Sequence, residues 1–326
     1  AMFELVQLHL MRTTYNAMAG RFKEAIEIGT KGLKLFNIEM PAVPTDEDYG
    51  KEIARIETNM KGKEIADLVD LPVNESPETL FPLIQPALIF APAYLTGNVP
   101  LMSLASLKMT AIATRYCDFT GLAFSFHGLL QSAQQNFNEG YEYVLVASKM
   151  APHAAIPFFV MGAFAGPYRI PFKECIPYLE TAYSNGFATG DLTYARYAIS
   201  FLPFKCYLAG FPLQDIIDTK RKFDNHILES GDLMTIGAVE LFELTHSGFT
   251  SNSNIFNSEI SGEYETKAET LPIVHCQYFI RQAQVLYSFG YFRDAYESVL
   301  TAEKTMTSIV GHGMQSIRVL YLGLSA

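Results

Sequence analysis

A six-residue pattern, Gly-x-aromatic-x-x-Ala, stands near both ends of the chain and limits what the chain between them can become. It occurs as Gly20-Arg21-Phe22-Lys23-Glu24-Ala25 and again as Gly290-Tyr291-Phe292-Arg293-Asp294-Ala295, and a small residue, Gly32 or Ala302, follows seven positions after the alanine. Glycine admits the positive φ of a tight turn. The aromatic can wedge between two helices, and the small residues let those helices approach closely. The pattern therefore specifies a helical hairpin, and its presence at both ends specifies an array of them. The second helices have the matching period: Phe22, Ala25, Ile26, Gly29, Leu33 and Phe36 share one face, as do Phe292, Ala295, Tyr296, Val299 and Met306.

Weaker copies lie between: Phe137-x-x-Gly140 with Ala147, Phe172-x-x-Cys175 with Ala182, Gly97-x-Val99-x-x-Met102, and Gly210-x-Pro212-x-x-Asp215. The turns then fall near residues 20, 97, 135, 170, 210 and 290, with successive gaps of 77, 38, 35, 40 and 80 residues. The two large gaps are about twice the small ones, so a further hairpin is expected in each, giving roughly seven or eight helix pairs on a unit of about 35–40 residues. No stretch alternates with period two between hairpin turns, so strand content should be near zero. The expected fold is all-α, built of antiparallel helix pairs. Residues 1–36 form the first hairpin, 37–78 a linker with a charged helix from Tyr49 to Val69, and 79–326 one continuous array. Ser76-Pro77-Glu78 reads as a helix start with proline at the first position. The segment from His246 to Thr266, rich in Ser, Asn, Thr and Gly, reads as a long mobile loop.

Composition narrows function. With 49% hydrophobic residues among 326, the chain can bury a large core, which excludes disorder. A net charge of −10 argues against nucleic-acid binding, which needs many cations on phosphates. The opening, Ala1-Met2-Phe3-Glu4-Leu5, is no signal peptide, and it enters directly on a helical pattern, as a segment of a larger polypeptide would. The apolar run from Leu80 to Ala93 carries three prolines and that from Ala154 to Ala165 is too short, so no membrane span is expected. A cytoplasmic, reducing setting is expected for four cysteines without scaffold spacing.

Catalytic signatures are missing. Gly62-Lys63 is the nearest fragment to a phosphate loop, but Glu57 and Glu64 stand where Gly and Ser/Thr are needed. His275-Cys276 are adjacent and so diverge on a helix, and the other cysteines have no Cys-x-x-Cys spacing. No cofactor, metal or catalytic residue is expected. Gly190-Asp191-Leu192 and Gly231-Asp232-Leu233 read as helix N-caps, with a groove-lining carboxylate as the functional alternative. An aromatic band runs from Phe158 and Phe159 through Phe164, Tyr168, Arg169 and Phe172 to Tyr194 and Tyr197. It reads as core filling or, functionally, as the lining of a concave surface. The candidate ligand- or partner-binding residues are therefore Phe158, Phe159, Tyr168, Arg169, Asp191, Tyr194 and Tyr197.

The hairpin pattern resembles the tetratricopeptide repeat, with no Trp in the first helix and with units longer than that repeat's. A wider resemblance rests on Gly20 to Pro41, Leu68-Val-Asp-Leu-Pro72, the segment Pro86 to Val99, and Asn185 to Tyr197. These look like the helical region of large multidomain signalling proteins, in which a Ser/Thr-kinase-like domain and a STAND-type predicted ATPase precede it and GAF and sensor histidine kinase domains follow. The resemblance implies a TPR-like right-handed superhelix and a signalling context, with the enzymes outside this chain. The expected function is a non-catalytic regulatory module that binds a protein, a peptide or adjacent domains of the same polypeptide. The alternative is a sensor of a small apolar molecule, which an enclosed apolar pocket would favour over an open groove. The apolar faces of the end helices, Phe3 to Met18 and Gln315 to Leu324, would also suit a homodimer.

Overall fold

The computed structural model describes residues 2–74, 76–118, 120–229, 231–250, 256 and 258–325. These residues are all-helical, with no strand among them. In chain order the helices are α1 (Met2–Met18), α2 (Phe22–Lys34), α3 (Asp46–Met60), α4 (Pro77–Leu95), α5 (Val99–Ala113), α6 (Leu122–Ala133) and α7 (Phe137–Met150). Next, α8 (Ile156–Val160) runs on through a π-helical turn, Met161–Ala165, and a 3₁₀ turn, Gly166–Tyr168. Then come α9 (Phe172–Thr189), α10 (Leu192–Leu208), α11 (Leu213–Arg221), α12 (Asp224–Leu228), α13 (Leu233–Thr250) and α14 (Ser258–Thr266). The last are α15 (Pro272–Ser288), α16 (Phe292–Ala302) and α17 (Met314–Ser325). The most extensive packing joins consecutive helices: α1 with α2, α4 with α5, α6 with α7, α9 with α10, and α15 with α16.

All six turn positions expected from the sequence fall between two helices. At Gly20, Gly97, Gly210 and Gly290 the φ angles are 71°, 71°, 79° and 84°, the region that glycine enters without a Cβ penalty. Gln135 takes that conformation at the α6–α7 turn, with φ 69°. Phe22 is 4% exposed, within the core cluster. Phe292, its counterpart, is 51% exposed and lies against Tyr287 at the edge of the hairpin, with ring centroids 5.0 Å apart. The buried face of α16 is instead Ala295, Ser298, Val299 and Ala302.

The large gaps resolve differently from the expectation of one hairpin each. The first holds α3, which docks on α5 rather than on a partner of its own. It starts at Asp46, because Thr45 and Asp48 form a reciprocal capping box, and stops at Met60, before Gly62 turns with φ 78°. The single charged helix expected to Val69 thus becomes α3 and a 3₁₀ turn, Ile65–Asp70. Glu52 fastens α3 to the array: it is 5% exposed and accepts from Lys108 at 2.9 Å and Arg55 at 2.7 Å. The second large gap holds α12, α13 and α14. The long loop expected from His246 to Thr266 is shorter than the composition implied, since His246–Thr250 completes α13 and Ser258–Thr266 forms α14. Residues 251–255 and 257 of that segment lie outside the described residues.

The late part of the array returns to the early part. A Cβ at Gly97 would meet Thr307 Oγ1 at 2.5 Å and the Ser308 nitrogen at 3.3 Å. One at Gly311 would lie 3.5 Å from Ala133 Cβ, and the Tyr168 hydroxyl donates to the Gly311 carbonyl at 3.3 Å. The surface of α1 carries Leu5, Leu8, Met11 and Tyr15, all exposed, and that of α17 carries Val319, Leu320 and Leu324. Among the described residues no helix is long and apolar enough to cross a membrane.

Candidate functional site

Six elements converge on one apolar pocket. Phe90 and Tyr94 come from α4, Phe126 and Leu129 from α6, Phe159, Val160 and Phe164 from α8 and its π turn. Tyr194, Tyr197, Ser200 and Phe201 come from α10, Met234, Thr235 and Ala238 from α13, and Ile273 and Gln277 from α15. Their placement follows from helical spacing. On α10 the residues at positions 194, 197 and 201 repeat at three and four and so form one stripe. On α4, Phe90 and Tyr94 are one turn apart.

Phe159 is the hub of the aromatic wall. Its centroid lies 5.4–5.9 Å from those of Phe164, Tyr194, Tyr197 and Phe201, edge-on to Phe164 and Phe201 and tilted to the tyrosines. Phe90 stacks on Phe126 at 4.1 Å, and Tyr94 meets Phe164 edge-on at 5.8 Å. Such pairs favour offset or edge-to-face geometry because the ring face is negative and its edge positive. The space left inside is about 80 Å³, room for about three waters or for a short alkyl tail. The Tyr94 hydroxyl is buried without a hydrogen-bond partner. Burial pushes that hydroxyl far up, as it does Tyr197, and Tyr194 is raised by burial and then by the Asp191 charge.

Of the seven candidate residues, the pocket gathers Phe159, Tyr194 and Tyr197. Phe158 is half-buried against the same core but does not line the space. Tyr168 stacks on Phe137, centroids 4.4 Å apart, and Arg169 donates to Asn138 on the outside. Asp191 caps α10: its carboxylate accepts the Tyr194 N–H at 3.4 Å, after Gly190 turns with φ 82°. Asp232 does the same before α13, accepting from the Met234 N–H at 3.0 Å and the Thr235 hydroxyl. Both aspartates therefore fit the capping reading. Sequence reasoning missed Phe90, Tyr94, Phe126 and Phe201, although the 194–197–201 stripe was there to be extended.

Burial raises the Asp191 carboxyl above its usual range, against the lowering effect of the Tyr194 N–H. A carboxyl raised on folding binds its proton more readily in the folded chain, so it subtracts stability as pH rises from the ordinary carboxylate range through the raised value. Denaturant unfolding of the wild type and Asp191→Asn at about pH 4 and about pH 7 should show the wild type losing more stability over that interval. An equal change in both chains would exclude Asp191 as the source.

A second, more open cavity of about 910 Å³ runs beside α3, between Tyr49, Ile53, Ile56 and Met60 on one wall and Leu107, Leu130 and Tyr143 on the other. His127 borders it, edge-on to Tyr143 at 4.6 Å, and burial pushes its imidazole down to about 4, so it is neutral there. Among the described residues no three His, Cys, Asp or Glu side chains are grouped to hold a metal. His275 binds Thr305 Oγ1 at 2.8 Å through Nδ1, while the Cys276 thiol points to the Ala302 carbonyl at 3.6 Å. Comparison with protein-family models, with curated proteins and with solved structures finds no match to the chain.

Proposed function

We propose that this chain is a non-catalytic regulatory module that senses a small apolar molecule in the pocket around Phe159. The carrying observation is that six elements direct almost wholly apolar side chains into one shared space, with few polar groups to orient a ligand. Binding sites for small molecules have this composition. The same reading takes the helix pairs as a TPR-like right-handed superhelix whose concave side has filled and closed. In support are the consecutive pairing of helices, the positive-φ turns and the contacts of Gly97 and Gly311 with distant residues. On the resemblance to multidomain signalling proteins, the occupied pocket would report to attached kinase or ATPase domains in the cytoplasm. Adjoining domains or a second copy would meet the exposed faces of α1 and α17.

Thermal unfolding in the presence of short alcohols, alkanes and small aromatics tests the reading. A ligand at about 100 times its dissociation constant adds about 2.7 kcal/mol to the folded state. A shift of that order, abolished by filling the space with Ala238→Leu, is the expected result. No shift from any member of the panel would overturn it.

The 910 Å³ cavity beside α3 favours a second reading, a protein-interaction module. An amphipathic peptide helix would lay its apolar side along Ile53 and Ile56, and Ile53 is already 43% exposed. Ile53→Asp should weaken such a complex and leave the thermal shifts of the first test unchanged.

A further inference from the structure

At one end of the pocket lie two buried cations, Lys205 and Arg281, with no carboxylate partner among the described residues. The pocket residues Phe164 and Phe201 touch His312, with centroids 6.0 and 5.1 Å from its ring. Behind His312 lie Lys205, fully buried, and Arg281, 4% exposed. Lys205 continues the α10 stripe one turn beyond Phe201. Its ammonium donates to the Ala163 carbonyl at 3.0 Å, an oxygen in the π turn, and lies 5.6 Å from the Phe172 ring centre. Among the described residues, its three N–H donors thus have one oxygen acceptor. The Arg281 guanidinium rests over Phe204 at 5.0 Å and Phe242 at 5.9 Å, and its Nε has no hydrogen-bond partner. Among the described residues neither cation has a carboxylate partner. Burial lowers both, Lys205 to about 8 and Arg281 to about 10. His312 is pushed far down, first by burial and then by Lys205 and Arg281; the Phe204 ring lies 5.7 Å from His312 and under the Arg281 guanidinium. Its Nδ1 accepts the Met314 N–H at 3.0 Å.

Buried charge without a partner is costly, so it needs a compensating reason. There is also room for one. Gly313 is buried, yet apart from its chain neighbours His312 and Met314 a Cβ built there would have only the Lys205 ammonium within 4 Å, at 4.0 Å. The missing side chain at Gly313 thus leaves clearance beside the ammonium, next to His312, which the pocket residues Phe164 and Phe201 touch.

We infer that the pocket takes an anionic amphiphile, an aliphatic carboxylate whose tail lies among the aromatic rings and whose head occupies the space between Gly313 and Lys205, facing Arg281 and His312. This rests on the apolar-ligand reading and specifies its ligand class. An Arg or Lys paired with a carboxylate in a dry site makes strong charge-assisted hydrogen bonds. The head would supply the negative charge that the fold leaves out, and the rings would exclude water from it.

Calorimetric titration of the chain with hexanoate, hexan-1-ol and acetate separates the contributions of head and tail. Hexanoate should bind at least about tenfold tighter than hexan-1-ol, and acetate should be much weaker than either. Lys205→Met should remove the preference for the acid while leaving the alcohol's affinity in place. Should that variant fail to fold, Gly313→Val, which fills the space and keeps every charge, should have the same effect. Equal affinity for hexanoate and hexan-1-ol would overturn the anion inference and leave the apolar pocket standing. Acetate binding as tightly as hexanoate would reduce the site to one for simple anions and overturn the amphiphile. Absence of binding by both six-carbon probes would overturn the pocket reading and this inference with it.

Discussion

Gly128→Ala is expected to lower the free energy of unfolding by about 3 kcal/mol, a large effect for one methyl group. The cause is the approach of α6 and α7. A Cβ at position 128 would lie 2.6 Å from the Gly140 carbonyl oxygen and 3.3 Å from the Val144 nitrogen, and would run into the Val144 side chain. Two of these three obstacles are backbone, which cannot rotate away. Gly140 mirrors the arrangement: its Cβ would lie 2.8 Å from the Gly128 carbonyl and 3.0 Å from the Ser132 nitrogen. The two glycines thus face each other across one crossing, and either substitution forces the helices apart. Separation also loosens Val144 and Ala147, both fully buried. Urea denaturation checks the value, and Gly262→Ala, on an exposed helical site where a Cβ meets nothing within 4 Å, is the control expected to keep stability or raise it by up to about 1 kcal/mol. A Gly128→Ala chain within about 0.5 kcal/mol of wild type would show that the crossing is not as tight as described.

Phe159→Ala is expected to cost about 4 kcal/mol. The ring is 6% exposed and touches four other aromatic rings, so its loss removes both buried apolar area and edge-to-face contacts. Tyr194, Tyr197 and Phe201 are held on a regular helix and cannot all move in to fill the space. The cavity left behind should therefore persist and join the existing one. Two measurements follow from the same variant: equilibrium unfolding gives the loss, and binding of a bulkier aromatic gives the gain in accommodated volume. Phe159→Leu should recover most of the stability. A cost below about 1 kcal/mol would mean that the wall rearranges freely.

The turns were legible in the sequence because their cause is local. A left-handed turn selects glycine at the turning residue itself, and spacing between glycines carries over directly into helix length. Gln135 shows the limit, since only the register of its neighbours pointed to that turn. The aspartate caps were legible for the same reason: a carboxylate before a first helical turn needs no distant partner. Half of the aromatic band found its place, and the reason for the other half is instructive. Tyr168 and Arg169 follow the π turn, whose wider winding changes which side the next residues face, and single-period reasoning carries them to the wrong wall. Phe90 and Tyr94 sit in and just after a proline-bearing apolar run that signals burial without saying against what. The cluster of Lys205, Arg281 and His312 was invisible because they come from three distant stretches, and each alone reads as an ordinary surface or core residue.

The return of the late helices onto the early ones bears on how the chain unfolds. An open array of repeats is held by nearest neighbours alone, so it frays from its ends and tolerates loss of terminal units. Here the Gly97 turn is seated on Thr307 and Ser308, and Tyr168 is bonded to Gly311. These contacts close loops of well over a hundred residues, and they form only when both partners are in place. Melting should therefore be a single transition across the closed region, and refolding should be slow for a helical protein, because distant segments must meet before the structure gains from it.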